Sequence, residues 1–176
     1  KAAKAFAIGD GLLERSHFGD LQFLHGMASR DGEPAGETQD KILKWAEFAY
    51  KVSTGAINQR LPLKDIPILE VRNLFVGDPS LESKTIEQLF KGPKFVKRVA
   101  IGTLLHLIQD SYAPGHAERE VQDSPGPDGK TVFKRGRIRE FHCYTNQDSS
   151  LHGKDDKWPP NLNTSLAASD QNPISV

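Results

Sequence analysis

Cysteine is nearly missing from this sequence. Cys143 stands alone, so no disulfide can close within the chain. That leaves the compartment open, because a bound metal can staple a fold without oxidation. Long apolar runs are missing too: no stretch approaches the roughly 20 apolar residues of a membrane-spanning helix. Neither sign of charge is in excess, with 23 basic and 23 acidic residues. That balance argues against a general nucleic-acid coat or a basic membrane-surface protein, while leaving room for a local patch. There is no internal repeat. The sequence has no Gly-x-Ser-x-Gly, no phosphate-binding Gly-rich loop, no dinucleotide fingerprint and no His-Asp dipeptide. Histidine is absent between His25 and His106, which marks the intervening region as scaffold. A chain of 176 residues is long enough for one domain with a sizeable core, and 1–176 reads as a single domain. It opens at Lys1-Ala-Ala-Lys without an initiator Met and shows no signal peptide, so a leader removed upstream is one expectation.

What is present is concentrated in Gly102-Thr-Leu-Leu-His106-Leu-Ile-Gln-Asp110-Ser-Tyr-Ala-Pro-Gly-His116. Residues four apart on a helix share a face, roughly 5–6 Å between their Cβ atoms, so His106 and Asp110 can reach one ion together. Pro114 cannot continue the helix and disfavours helical geometry at Ala113. The chain turns there, and His116 can swing back. Around this motif, Phe95, Val96, Val99, Ala100, Ile101, Leu104, Leu105, Leu107 and Ile108 cover nearly all sides of a helix predicted over 94–112. A helix apolar all round belongs in the middle of a domain. A carboxylate there is costly unless it is paired or binds metal. A core histidine bonded to a core aspartate would satisfy the same pair, and His116 beyond the break favours metal.

The rest reads as an all-α, multi-helix bundle around that buried central helix. Gly9-Asp10-Gly11 reads as a turn. Asp20 is placed to cap a short helix over 21–28, which carries His25. Thr38 is placed to cap an amphipathic helix to about Ser53, with Ile42, Leu43, Ala46, Ala49, Tyr50 and Val52 as its stripe and Gly55 at its end. Trp45 and Phe48 read as core. Short helices follow from Pro67 or Ile68 to about Phe75, and from Ser83 to Phe90. Thr131–Phe133 and Arg137–Tyr144 alternate as two short strands, a loop or hairpin inserted at 122–145. Its Lys130, Lys134, Arg135, Arg137 and Arg139 make either a solvated hairpin edge or a phosphate-attracting rim. A helix from Asn146 would carry His152 and Asp156, and the tail from Trp158 has little periodicity.

All six histidines lie at 17, 25, 106, 116, 142 and 152, clear of the scaffold. His152 and Asp156 repeat the His-x3-Asp spacing of His106 and Asp110. Together with His116 and His25 they provide nitrogen and oxygen ligands for at least two zinc ions. A His/Asp set without thiolates suits hydrolysis better than a structural zinc knuckle, and Cys143 reads as a buried thiol.

His106-x3-Asp110-x5-His116 followed by His152-x3-Asp156 resembles the zinc-dependent phospholipase C and single-strand nuclease superfamily. The segment from Ser16 to Ala28 looks closer to the bacterial phospholipase-C-like members. The resemblance implies an all-α fold, clustered zinc ions, cleavage of phosphate esters, and a secreted or periplasmic location. It implies a first zinc on Asp10, His25, His106 and Asp110, with Asp20 a rival to Asp10. It implies a second on His116, His152 and Asp156, with His142 an alternative to His152. The family's third zinc uses an N-terminal Trp and a nearby His, bridged by the Asp110 equivalent. No Trp precedes Trp45 here, so the count stays at two or three ions, and His17 is a surface residue, a residue that supports a ligand from behind, or a substitute ligand. The activity so implied is a phosphodiester hydrolase using zinc-activated water, with Asp110 holding the ions and Asp10 doubling as proton acceptor. Its substrate would be a phospholipid or similar phosphodiester. Single-stranded nucleic acid, with Tyr144 and Phe133 as stacking residues, is the alternative, and a non-catalytic zinc-stabilised module is a third reading.

Overall fold

The computed structural model describes residues 9–90, 92–120, 123–125, 132–134 and 136–144. It is mostly helical, as the composition and periodicity predict. Six α-helices follow in order: α1 (Gly9–Phe18), α2 (Ala35–Thr54), α3 (Leu69–Asn73), α4 (Pro79–Glu82), α5 (Ile86–Leu89) and α6 (Val96–Asp110). Short 3-10 turns at Gln22–His25 and Leu63–Asp65 join them. Four short strands close the described chain: β1 (Ala117–Arg119), β2 (Asp123–Pro125), β3 (Val132–Lys134) and β4 (Ile138–Phe141).

The long helix α2 lies against α6 and supplies the centre of the core. Phe48, Ala49 and Val52 on one side of α2 are fully buried, as are Val96 and Ala100 of α6. Trp45, Phe48 and Phe90 pack ring to ring, with centroids 5.3–6.1 Å apart. Phe23, Leu63, Ile66, Val71, Phe75 and Ile86 fill the space beside them. The expected stripe on α2 is half right. Leu43 and Tyr50 are 57% and 58% exposed, because they sit on the flank that no described element covers.

Helix α6 is central, but its burial is one-sided among the described residues. Val96, Ala100, Leu107 and Asp110 face inward, whereas Ile101, Leu105 and Ile108 face outward. Apolar character on every side marks a helix that can be covered all round. It does not say that neighbours are present on every side.

The helix boundaries show where local chemistry was misread. Gly9-Asp10-Gly11 is the first turn of α1 and not a loop turn; the helix-favouring run Leu12-Leu13-Glu14-Arg15 outweighs the two glycines. Asp20 does not cap the next element. The 3-10 turn begins after Leu21 with no side-chain cap, and Asp20 pairs with Arg15 instead. Thr38 does not cap α2, which starts three residues earlier behind Pro34. The Thr38 hydroxyl donates to the buried Glu33 carboxylate at 2.6 Å. Glu33 also takes Arg30 and Lys41, so its buried charge is matched. Further on, α4 is capped by Asp78, and α5 is set by the reciprocal pair Thr85 and Gln88.

The predicted insertion is a nested pair of antiparallel ribbons that begins earlier than 122. β1 pairs with β4 through Ala117 with Phe141 and Glu118 with Glu140, and β2 pairs with β3. Ala28, Ala117, Phe141 and Cys143 form a small second core beneath the outer ribbon, and Cys143 is buried as expected. Arg119 ties the ribbon to the end of α6. Its guanidinium lies over Tyr112 at 4.3 Å and donates to the carbonyls of Ser111 and Gly136, each at 2.9 Å. Among the described residues no helix is long and apolar enough to cross a membrane.

Candidate metal centre

The candidate ligands come from two short pieces of chain. His106 and Asp110 lie one turn apart at the end of α6, with Nε2 and Oδ2 3.0 Å apart. The helix stops at Asp110, four residues before Pro114, and the chain turns there as the proline dictates. His25 arrives on the 3-10 turn, which ends at Gly26 in the left-handed region with φ +64°. A Cβ at Gly26 would stand 3.2 Å from the Asp110 Cβ. Glycine therefore does two things here. It adopts the positive φ without penalty, and it lets the turn lie close on α6.

The close approach brings three ligand atoms to a common point. His25 Nδ1 is 3.2 Å from His106 Nε2 and 3.9 Å from Asp110 Oδ2. The three edges are thus 3.0, 3.2 and 3.9 Å. Zinc–ligand bonds near 2.0–2.1 Å in a tetrahedron demand edges of about 3.3 Å. The donor set, two imidazole nitrogens and a carboxylate oxygen, is also the set that such an ion takes. Protein hydrogen bonds alone serve this geometry poorly. His106 Nε2 faces both the carboxylate and the His25 nitrogen, and one N–H cannot point well at two acceptors. The group of His25, His106 and Asp110 could therefore hold a metal ion. Asp110 is buried, while the side chains of His25 and His106 are 19% and 45% exposed, so the centre has an open side.

The other histidines of the described chain lie alongside. His116 is 3% exposed, and its Nδ1–H donates to the His25 carbonyl at 2.6 Å. That nitrogen stands 3.8 Å from Asp110 Oδ2. His116 thus swings back as predicted, beside the first group and not into it. The His142 backbone N–H donates to the His116 carbonyl at 2.9 Å, and Ala28 N–H donates to the His142 carbonyl at 2.7 Å. On the opposite side the His17 ring is 4.8 Å from the His25 ring, and its Nδ1 is 3.0 Å from the Ser16 hydroxyl. His17 is half-buried, with its ring against that of His25.

Asp20, the rival to Asp10, lies outside the His25–His106–Asp110 group and pairs with Arg15. Both of its oxygens take the Arg15 guanidinium, at 2.8 and 2.7 Å. Hydrogen bonding to Arg15, ahead of the opposing effect of burial, lowers its pKa below the usual carboxylate value. Asp10 lies in the first turn of α1, and its side chain falls outside the described residues. His152 and Asp156 fall outside them as well.

Sequence reasoning missed Gln22. This fully buried amide donates to the carbonyls of Gly19 and Ser29, at 3.1 and 3.4 Å, and accepts from the Tyr144 N–H at 2.8 Å. It locks the His25 turn to the segment that follows β4. No spacing rule would find it, since a buried glutamine on a short apolar segment has no periodic signal. No family model matches the chain, and comparison with the curated proteins and with the solved structures finds no match.

Proposed function

We propose that this protein is a zinc-dependent hydrolase of phosphate esters, most nearly a phospholipase-C-like phosphodiesterase. One observation carries the reading: His25, His106 and Asp110, 81 and 85 positions apart across the chain, direct their ligand atoms at one point on an open side of the fold. A divalent cation held there supplies Lewis acidity and a water of lowered pKa. The residues do the rest. Asp110 brings the negative charge that balances the cation. Gly26 and Pro114 set the approach of the two chain turns. The partial exposure of His106 leaves room for a phosphate oxygen. Asp10, on the family resemblance, would accept the proton lost from water.

The test is metal content measured together with a phosphodiester screen. The zinc-loaded protein should release phosphocholine-type products from lipid. Asp110→Asn should lose both metal and turnover, and full zinc content with full turnover in that variant would refute the role.

A second reading, single-stranded nucleic acid as substrate, is favoured by one observation. Phe18 is 69% exposed and leans on Tyr144 at 6.0 Å. Tyr144 stacks on His17 at 5.9 Å, and His17 adjoins His25. Rings running from solvent to a metal ligand are what base stacking uses. Release of nucleotides from single-stranded DNA, in place of headgroups from lipid, would select this reading. Zinc that raises the melting temperature while no ester is cleaved would select a non-catalytic module.

A further inference from the structure

We propose that the outward face of α6 is a docking surface for an anionic lipid bilayer. The inference goes beyond the hydrolase reading and does not require the metal centre.

The first argument is what the face contains. Lys94, Arg98, Ile101, Leu105, Ile108 and Tyr112 follow one another at spacings of three and four, so they form one stripe along α6 and the turns at its two ends. All six are exposed. Leu105, Ile108 and Tyr112 are each more than half exposed, and a Cβ placed on the neighbouring Gly102 would meet nothing within 4 Å. Single exposed apolar residues are ordinary, but a contiguous row of them marks a contact surface.

The second argument is charge, and it selects the occupant. The sequence has no Asp or Glu from Lys91 to Gln109. Lys94, Lys97 and Arg98 therefore crowd the start of α6, whose first turn holds no acidic residue. A helix N-terminus is the positive end of the macrodipole and favours carboxylates, so cations there oppose helix stability. Lys97 lies against Gly55 at the end of α2, where a cation is favourable. No carboxylate pairs with Lys94 or Arg98 among the described residues, and Lys94 lies over the Phe95 ring at 5.5 Å. An anionic bilayer offers negative headgroups beside an apolar phase, and cations in line with aliphatic side chains match both. At the far end Tyr112 joins an apolar ring to a polar hydroxyl, the residue type that settles at headgroup level. A nucleic-acid backbone would meet the cations but give Ile101, Leu105 and Ile108 nothing to bury against. A second copy docked through the same face would bring in more cations, and the stripe has no carboxylate to neutralise them.

The experiment measures co-sedimentation of the full chain with vesicles, without added zinc. One set is phosphatidylcholine alone, and the other contains about one third phosphatidylserine. Wild type should bind the mixed vesicles and release them as salt rises. Lys94→Ala with Arg98→Ala should weaken that binding roughly twenty-five-fold, about fivefold for each cation. Leu105→Ser with Ile108→Ser should weaken it by about tenfold or more. Leu43→Ser with Tyr50→Ser, an equally exposed apolar pair on α2 outside the stripe, should bind as wild type does. Circular dichroism checks the fold of each variant. Zinc content and turnover of a soluble phosphodiester, bis(p-nitrophenyl) phosphate, should be the same in all of them, so loss of docking is read apart from loss of the hydrolase. A folded protein with Leu105→Ser and Ile108→Ser that binds mixed vesicles like wild type would overturn the proposal. So would a wild type that binds neither vesicle, or an equal loss in the α2 control. A wild-type dimer that the α6 serine pair dissolves, with no vesicle bound, would give the face to a second copy instead. Vesicle binding without zinc or turnover would sink the hydrolase and leave the docking face standing.

Discussion

Replacing Gly26 by alanine tests whether the site depends on the close contact between the 3-10 turn and α6. Two costs are built into that position. The backbone is at φ +64°, where an L-residue loses about 1–2 kcal/mol relative to glycine. The new Cβ would also stand 3.2 Å from the Asp110 Cβ, with the Ser111 nitrogen at 3.5 Å behind it. Neither neighbour is the loose end of a side chain, so the turn must lift by a few tenths of an ångström. His25 rides on that turn and its nitrogen is one corner of the ligand triangle. Gly55→Ala is the internal control. Its φ is +83°, so the backbone cost is similar, but its Cβ would meet only the flexible end of Lys97 at 3.3 Å. Both variants should lower the melting temperature by about 2–8 °C. Only Gly26→Ala should weaken zinc binding, by roughly tenfold, about 1.4 kcal/mol. Calorimetric zinc titration and thermal melts of both proteins measure the two effects. Equal zinc affinity in the two variants would refute the claim that Gly26 sets the ligand geometry.

Other expectations follow from particular contacts. Thr38→Val removes a hydroxyl bonded to the buried Glu33 carboxylate, and urea unfolding should show a loss of about 1.5–3 kcal/mol. Glu37 is held at about 2 by hydrogen bonds from Arg30 and then Lys41, against an ordinary value of 4.5. Its folded pKa is the lower one, so its contribution is present above the unfolded value and fades as pH falls from about 4.5 through about 2. An NMR titration should find that midpoint, and Arg30→Ala should raise it. Asp20 behaves in the same sense through Arg15: its stabilisation is lost at acid pH, and Arg15→Ala should move its titration upward. Gln22→Leu should keep the turn's apolar packing but release Tyr144, and should lower zinc affinity if the His25 turn depends on that brace.

Several of these features were legible from residue order and several were not. The pair His106 and Asp110 could be read directly, because helical spacing alone brings residues four apart together. The stop at Pro114 and the return of His116 followed from the ring's fixed geometry. Cys143 and the Trp45–Phe48 core were readable from composition and stripe. Other contacts were set by distant partners. His25 reaches His106 across 81 residues only because Gly26 permits the docking, and its sequence shows a glycine after a histidine and nothing more. Thr38 and Asp20 look like helix caps in isolation. Glu33 and Arg15, which claim them, win through stronger charge-assisted bonds. The exposed side of α6 was unreadable for a different reason. Hydrophobicity reports what a surface can bury, while burial also depends on which elements arrive to cover it.

The grouping of the histidines is the point at which fold and function separate. A core gains from leucine or phenylalanine about 1.5–3 kcal/mol per buried side chain, with no polar atom left to satisfy. His116 occupies such a buried place, 3% exposed, yet carries two nitrogens that each need a partner. The fold meets that need for Nδ1 with the His25 carbonyl, the very residue that faces His106 and Asp110. The bond that orients His116 therefore also fixes the backbone of a neighbouring candidate ligand. An apolar residue at 116 would pack as well but would leave the His25 carbonyl without this donor. The arrangement is intelligible if the backbone at His25 and the ring at His116 must be held in fixed relation to the same positive charge. Replacing His116 by leucine deletes the donor to the His25 carbonyl but adds apolar packing, so the zinc-free protein should lose no more than about 1–3 kcal/mol, while zinc binding falls sharply. A zinc-free His116→Leu protein that melts well below wild type, with zinc binding intact, would show that the ring serves the fold alone.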